Sequence, residues 1–386
     1  LKTERKNAWE VGLDWRFLDS RIGVDLTYYK ENTRNQIMTI NVPWESGVKE
    51  KLINAGNIQN SGIEIALNTT PIKKKQWQWD LNFTYTRNRN KIVELSPDVT
   101  SYINLDGAAN YGNYRIASVA KVGSDYGMLM SDSWIKTDEK TGKPVVGYTN
   151  KFRTVYYKRG GTVKEVGSML PNFLGSLNST LRWKDLSLYV LFDARFGGYV
   201  ASYNSRYATA YGFSGETEKY RKGMTWTSKY ANAQDKVFTD GFIPDVVFDA
   251  GTIVTTPGGT NQDVSGMTYQ EAYEKGYVEP AHLQSAAYFK NSWGTGVIND
   301  DWFKKINYIA LRDITLSYNV PTKICSYIGA KNLSLSFTGR NLAYLLNTAP
   351  NHENPESVRG TGAAQFRMRS FMPYTASYLF TLNATF

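Results

Sequence analysis

The stretch Trp77–Thr86, WQWDLNFTYT, alternates apolar and polar side chains without a break. Trp77, Trp79, Leu81, Phe83 and Tyr85 fall on one face, and Gln78, Asp80, Asn82, Thr84 and Thr86 on the other. A period of two belongs to the β-strand, whose successive side chains point to opposite faces. The pattern recurs along the chain. Trp9, Val11, Leu13, Trp15 and Phe17 form one such face, and Ile22, Val24, Leu26 and Tyr28 the next. Ile63–Leu67, Phe173–Leu181, Leu186–Phe192, Ile314–Val320, Leu333–Phe337 and Tyr378–Phe386 continue it. The expectation is an all-β protein with nine antiparallel strands.

Alternation serves a soluble sandwich and a transmembrane barrel equally well, because each needs one apolar and one polar face. Three further features favour the barrel. Connections alternate between short turns (Leu18–Ser20, Thr70–Gln76, Lys184-Asp185 and the longer Pro321–Lys331) and long excursions. The long ones, at about 89–170 and 197–304, far exceed the usual loop of a compact domain and are expected on the extracellular side. Aromatic rings gather at the ends of the apolar faces (Trp9, Trp77, Trp79, Tyr85, Tyr318), the depth that amphipathic rings favour in a bilayer. Finally, Phe386 closes an alternating strand, as in the C-terminal signal read by the bacterial barrel-assembly machinery.

The 386 residues carry 45 Lys and Arg against 35 Asp and Glu, a net charge of +10. The densest basic run is Lys73-Lys74-Lys75, too sparse a pattern for a nucleic-acid surface. No apolar stretch reaches the roughly 18 residues of a spanning helix, which leaves a barrel open. The single cysteine, Cys325, permits no internal disulfide. Nine strands cannot close an even-numbered barrel, and unpaired edges in lipid are costly. The expectation is therefore the C-terminal portion of a barrel, its N-terminal strands lying outside residues 1–386.

Several segments together resemble the SusC/RagA-like TonB-dependent outer-membrane transporters of Bacteroidetes. They are Gly12–Ile37, the Asn/Gly-rich Asn54–Ile72, Gly241–Thr252 (GFIPDVVFDAGT), Ile306–Pro321, Leu333–Leu345 and Phe380–Phe386. The resemblance implies a barrel of about 22 strands with a plugged lumen, the plug domain lying outside this chain. It also implies a SusD-like surface lipoprotein as lid, TonB engaged through regions outside this chain, and import of oligomeric glycans or peptides across the outer membrane. A non-transporting scaffold subunit on the same fold is the alternative, and a soluble β-rich glycan-binding module a more distant one. Within these motifs, Glu64 is expected on the lumen side. Arg312 falls on the lipid face by strict alternation, so it should sit above the apolar band or follow a bulge. Arg340-Asn341 is expected at the rim.

No catalytic or cofactor constellation emerges. His282 and His352 lack metal-ligand spacing, and no nucleophile elbow or phosphate loop is present. Asp138-Glu139 reads as a solvated turn. Binding is expected in the long loops, where rings can stack on sugars or peptides and Arg can engage carboxylates. The candidates for substrate or lid contact are Trp134, Tyr156, Tyr157, Tyr203, Arg206, Tyr207, Tyr211 and Trp226. Packing within the loops themselves is the competing reading for each. Trp293 and Trp302 are expected at the aromatic girdle or the rim, and Met267–Lys275 as a short helix.

Overall fold

The computed structural model describes residues 1–41, 50–54, 56–97, 102–105, 116–151, 153–210, 223–282, 302–358 and 373–386, with isolated positions 45, 47, 48, 99, 213, 215, 298 and 366–368. Nine long strands form one antiparallel sheet in chain order. They are β1 (Arg5–Phe17), β2 (Ile22–Arg34), β3 (Gly56–Lys73), β4 (Trp77–Leu95), β5 (Phe173–Trp183), β6 (Leu186–Ser202), β7 (Phe303–Asn319), β8 (Asn332–Asn347) and β9 (Ser377–Thr385). β1 and β9 are the edges of the sheet, which does not close on itself. Each strand contains a stretch marked by alternation, and most run on past it toward the long loops.

The register joins the alternating faces into rows. Trp15, Val24, Leu67, Phe83, Leu177, Phe192 and Leu311 are partners in turn from β1 to β7. One residue along, Arg16, Gly23, Asn68, Asn82 and Asn178 make a polar row on the other face. A slip of one residue would exchange the two faces, so pattern and register must agree. The apolar face is bare: Trp15 is 58% exposed, Phe337 52% and Phe380 72%. So large an apolar surface is stable against hydrocarbon and not against water. The opposite, inner face carries Asp14, Arg16 and Asp25 in one ion-paired group and Asp80 with Arg182 in another. Glu64, partnered by Thr27 and Thr86, lies on it too.

At one end the strands join tightly, through 18–21, 74–76 and 184–185. The Arg21 guanidinium donates to the carbonyls of Thr70 (3.2 Å) and Pro71 (2.7 Å), binding the first two turns together. The fourth connection holds a short helix, Thr322–Tyr327, whose Cys325 is buried. At the other end all connections are long.

Arg312 is kept out of the lipid by a β-bulge. Leu191 partners Asp313 while Phe192 partners Leu311, so Arg312 is an extra residue opposite β6. Its Nη2 turns to the inner face, 2.8 Å from Asp193 Oδ2 and 2.7 Å from Glu356 Oε1. Arg340 also lies on the inner face, 3.4 Å from Asp313, and β8 runs past it to Asn347. In the Asn/Gly-rich segment, Gly62 lies under the Tyr29 ring, which a Cβ there would overlap.

The rows predict an asymmetry between faces. In the full-length protein folded into lipid vesicles, Leu67→Arg should cost about 2–4 kcal/mol in a denaturant titration, as for a cation near the bilayer midplane. Ala66→Arg, one residue away on the inner face and level with Asp25, should cost far less.

Candidate functional site in the long-loop cap and inner wall

The buried core of this chain lies mostly outside the apolar belt. The connections between β4 and β5 and between β6 and β7 fold onto one another. Val145–Thr149 pairs antiparallel with Thr154–Tyr157 of its own loop and parallel with Val247–Phe248 of the other. Val146 and Val155 from the first loop are buried with Val246, Phe248, Val254, Val264, Tyr269, Ala272, Val278 and Ala281 from the second. Apolar burial of this kind supplies what two long loops need to hold one conformation.

The expected short helix is present as Tyr269–Glu274, started by a reciprocal capping box. Thr268 N–H donates to Glu271 Oε2 (2.8 Å), and Thr268 Oγ1 accepts from Glu271 N–H (3.2 Å). Tyr269 stacks on Phe248 at 5.5 Å. Burial pushes the phenols of Tyr148, Tyr230 and Tyr269 up, so they stay neutral. Asp249, in the segment Gly241–Thr252, lies 2.8 Å from Lys136 Nζ and 3.5 Å from Lys158 Nζ of the other loop. Burial would raise its carboxyl, but the two lysines outweigh that and hold it low.

Below the cap, the inner wall offers polar groups. Asn60 Oδ1 accepts from Asn90 (2.8 Å) and Asn88 (3.3 Å), and its amide donates to Glu31 (3.2 Å). Further round, the loop after β8 folds back against the wall. Met368 pairs with Ser202, and is buried among Val200, Ile306, Tyr308, Ala310 and Ala349. Glu356 fastens this loop, accepting from Arg312 and from the hydroxyls of Tyr344 (2.8 Å) and Tyr308 (3.4 Å). Burial would lift the Glu356 carboxyl, and these donors outweigh it, leaving it below the usual range.

An open sheet with lipid-facing rows, short turns at one end and a folded cap at the other matches a described family. Residues 1–199, more than half of the chain, fit the profile for TonB dependent receptor-like, beta-barrel. The chain belongs to this family. Among curated relatives, TonB-dependent receptor P26 of Formosa agariphila is 23% identical over 349 residues, 89% of this chain and 30% of the relative. TonB-dependent receptor SusC of Bacteroides thetaiotaomicron is 28% identical over 148 residues, 38% of this chain and 15% of the relative. Among solved structures, the RagAB peptide transporter aligns over 99% of this chain and 35% of its own, at 14% identity and a TM-score of 0.62. The chain thus spans about a third or less of these proteins. It is part of a TonB-dependent receptor-like β-barrel of the bacterial outer membrane, and the curated relatives it matches are TonB-dependent receptors.

In this receptor barrel none of the described contact candidates is fully exposed: two are buried and five half-buried. Tyr203 and Arg206, on the helix Tyr203–Ala210, are buried, and Tyr207 and Trp134 pack partly against the same cluster. Trp134 Nε1 donates to the Ser131 carbonyl (2.7 Å). Tyr156 lies across Gly147, and Tyr157 packs on the loop core. Trp226 stacks on Phe238 at 5.0 Å, its Nε1 3.3 Å from Glu279. Tyr211 and Trp293 lie outside the described residues. Trp302 is buried beside β7, its indole donating to the Ile298 carbonyl. Asp138 forms a turn, accepting from Thr141 N–H and Oγ1. Sequence reading missed the inner-wall contact of Glu356; only the displaced parity of Arg312 hinted at it.

Two outcomes follow for the full-length protein. Phe248→Ala, a truncation costing about 3–5 kcal/mol in a packed core, should make both long loops sensitive to limited proteolysis together. The second concerns acid. Because the folded Glu356 titrates below an ordinary glutamate, its fastening is complete above about pH 4.3 and is lost as pH falls through the depressed value. Hydrogen exchange across residues 350–358 should accelerate over that acid window, and Glu356→Gln should remove the pH dependence.

Proposed function

We propose that the chain forms part of the wall and the extracellular cap of a TonB-dependent importer of oligomeric nutrients, glycans or peptides, working with a SusD-like surface lipoprotein. The single observation that carries this reading is the cap, in which two long loops share one core at the far end of strands whose inner face is polar. A structured mouth of this kind suits capture of a large solute better than free diffusion of a small one. In this reading the long loops, about 89–170 and 197–304, face outward, and further strands and a plug outside this chain complete the barrel. Phe386, exposed just past β9, serves the barrel-assembly machinery.

The rings of Trp134, Tyr156, Tyr157, Tyr207 and Trp226 are the proposed contact surface for substrate or lid. Tyr203 and Arg206 support it from beneath, and Tyr211 belongs to the same segment. Substrate captured under the lid then passes along the inner wall once TonB has remodelled the plug.

The test uses the full-length protein in its native membrane, with uptake of labelled oligosaccharide and oligopeptide panels. Deleting the TonB-binding segment should abolish saturable uptake. Trp226→Ala should weaken capture about threefold to tenfold, the worth of one aromatic contact. Uptake indifferent to TonB would favour a scaffold subunit, and a native protein that stays in the aqueous phase without detergent would favour a soluble module.

A further inference from the structure

The outward face changes character where β4 approaches the long loops. Trp77, Trp79, Leu81, Phe83 and Tyr85 are followed on the same face by Arg87, Arg89 and Lys91. The register adds to this group. Tyr28, Ile63 and Arg87 form one row, and Lys30, Ser61 and Arg89 the next. At the same end Arg5 faces Arg34. The intervening residues turn the other way: Tyr29 donates to Asn88, and Asn88 and Asn90 both donate to Asn60, all on the inner wall.

Trp9 is the partner of Lys30 at the edge of that second row, and its ring lies 5.3 Å from that of Tyr28 in the row before. The cluster therefore starts at the level of the last aromatic rings, Tyr28 and Trp9. Arg87 and Arg89 are about 7 Å apart along the strand, and Lys30 about 10 Å away across two strand spacings.

Charge balance separates this cluster from the other basic residues of the sheet. On the inner face Lys6, Arg16, Arg182, Arg312 and Arg340 each pair with a carboxylate. No ion pair joins Arg5, Lys30, Arg34, Arg87, Arg89 or Lys91 to a described carboxylate. Glu31 and Glu64 are close in register but lie on the inner face, and Glu94, beyond a bulge at Val93, shares the row of Asn57, Arg34 and Arg5 without an ion pair to either arginine. Six like charges on one face repel one another unless an anion lies among them. At the depth where apolar side chains give way to a girdle, the anions at hand are lipid phosphates. Arginine engages phosphate bidentately, and basic clusters at a membrane boundary attract anionic lipid.

We propose that Lys30, Arg87, Arg89 and Lys91, with Arg5 and Arg34 at the edge, bind the phosphorylated headgroup of an anionic lipid in the leaflet nearest the long loops. This rests on the outer-membrane reading of the sheet. The probe is phosphatidylglycerol against phosphatidylcholine in mixed micelles, with lipid retained by the purified full-length protein counted by native mass spectrometry. Wild type should retain phosphatidylglycerol selectively and release it as salt rises. The variant K30Q/R87Q/R89Q/K91Q should retain roughly tenfold less or lower, since each basic residue at an anionic surface is worth several-fold in affinity. Its folding is checked by heat-modifiable gel migration, and R87K/R89K should keep most of the selectivity.

Equal retention by wild type and the quadruple variant overturns the proposal. So does an absence of salt-dependent selectivity in wild type, which decides the matter even where the variant fails to fold. Displacement by an equal concentration of inorganic phosphate overturns the lipid assignment in favour of a free-anion site. A native protein that needs no detergent would instead remove the membrane reading itself, a result distinct from lost selectivity in a detergent-solubilised barrel.

Discussion

A backbone amide in hydrocarbon has no water to bond to, and this constraint organises the whole molecule. Each strand must lie beside another, in register, for the full thickness of the bilayer. The nine strands do so in simple chain order, each antiparallel to the last. Side chains then answer to two surroundings at once, which is why Leu67 and Phe83 share a row while Asn68 and Asn82 share the next. The sheet needs no conventional core, because lipid covers one face.

The packed cores are consequently found toward the ends of the strands. Ordering long connections is entropically expensive, on the order of 1–2 kcal/mol per residue for the backbone alone, and hydrogen bonds to water would not offset it. Mutual burial of Val146, Val155, Phe248 and Tyr269 does, with Asp249 adding a charge pair between the loops. The loop after β8 uses a different method. It lies against the inner wall, held by apolar contacts of Met368 and by the donors gathered on Glu356.

The sheet was legible because alternation is imposed throughout the bilayer: Trp9–Phe17 and Tyr378–Phe386 announce strands without any structural knowledge. Strand ends were not. Past the girdle the outward face no longer has to be apolar, so Arg87–Lys91 continue β4 with no pattern to show it. Arg312 marked its own anomaly, and the bulge that resolves it depends on pairing with β6. The cap was hidden for another reason. Val145-Val146 and Val247-Phe248 are short runs a hundred residues apart, and their parallel pairing has no local signature. The aromatic density of Tyr199–Tyr230 was visible, but which rings face inward depends on that distant packing: Tyr203 is buried, whereas Trp226 is only partly so.

One property of the cap bears on how such barrels diversify. Its central sheet takes Val145–Thr149 from one connection and Val247–Phe248 from another, with a single apolar interior between them. Neither loop is then a self-sufficient module. Transplanting one of them into a related barrel would strand half of that interior, so recombination or design has to move the two together. Variation in specificity is thereby channelled to positions on the skin of the cap, while the paired valines, Phe248 and Tyr269 are inherited as a unit.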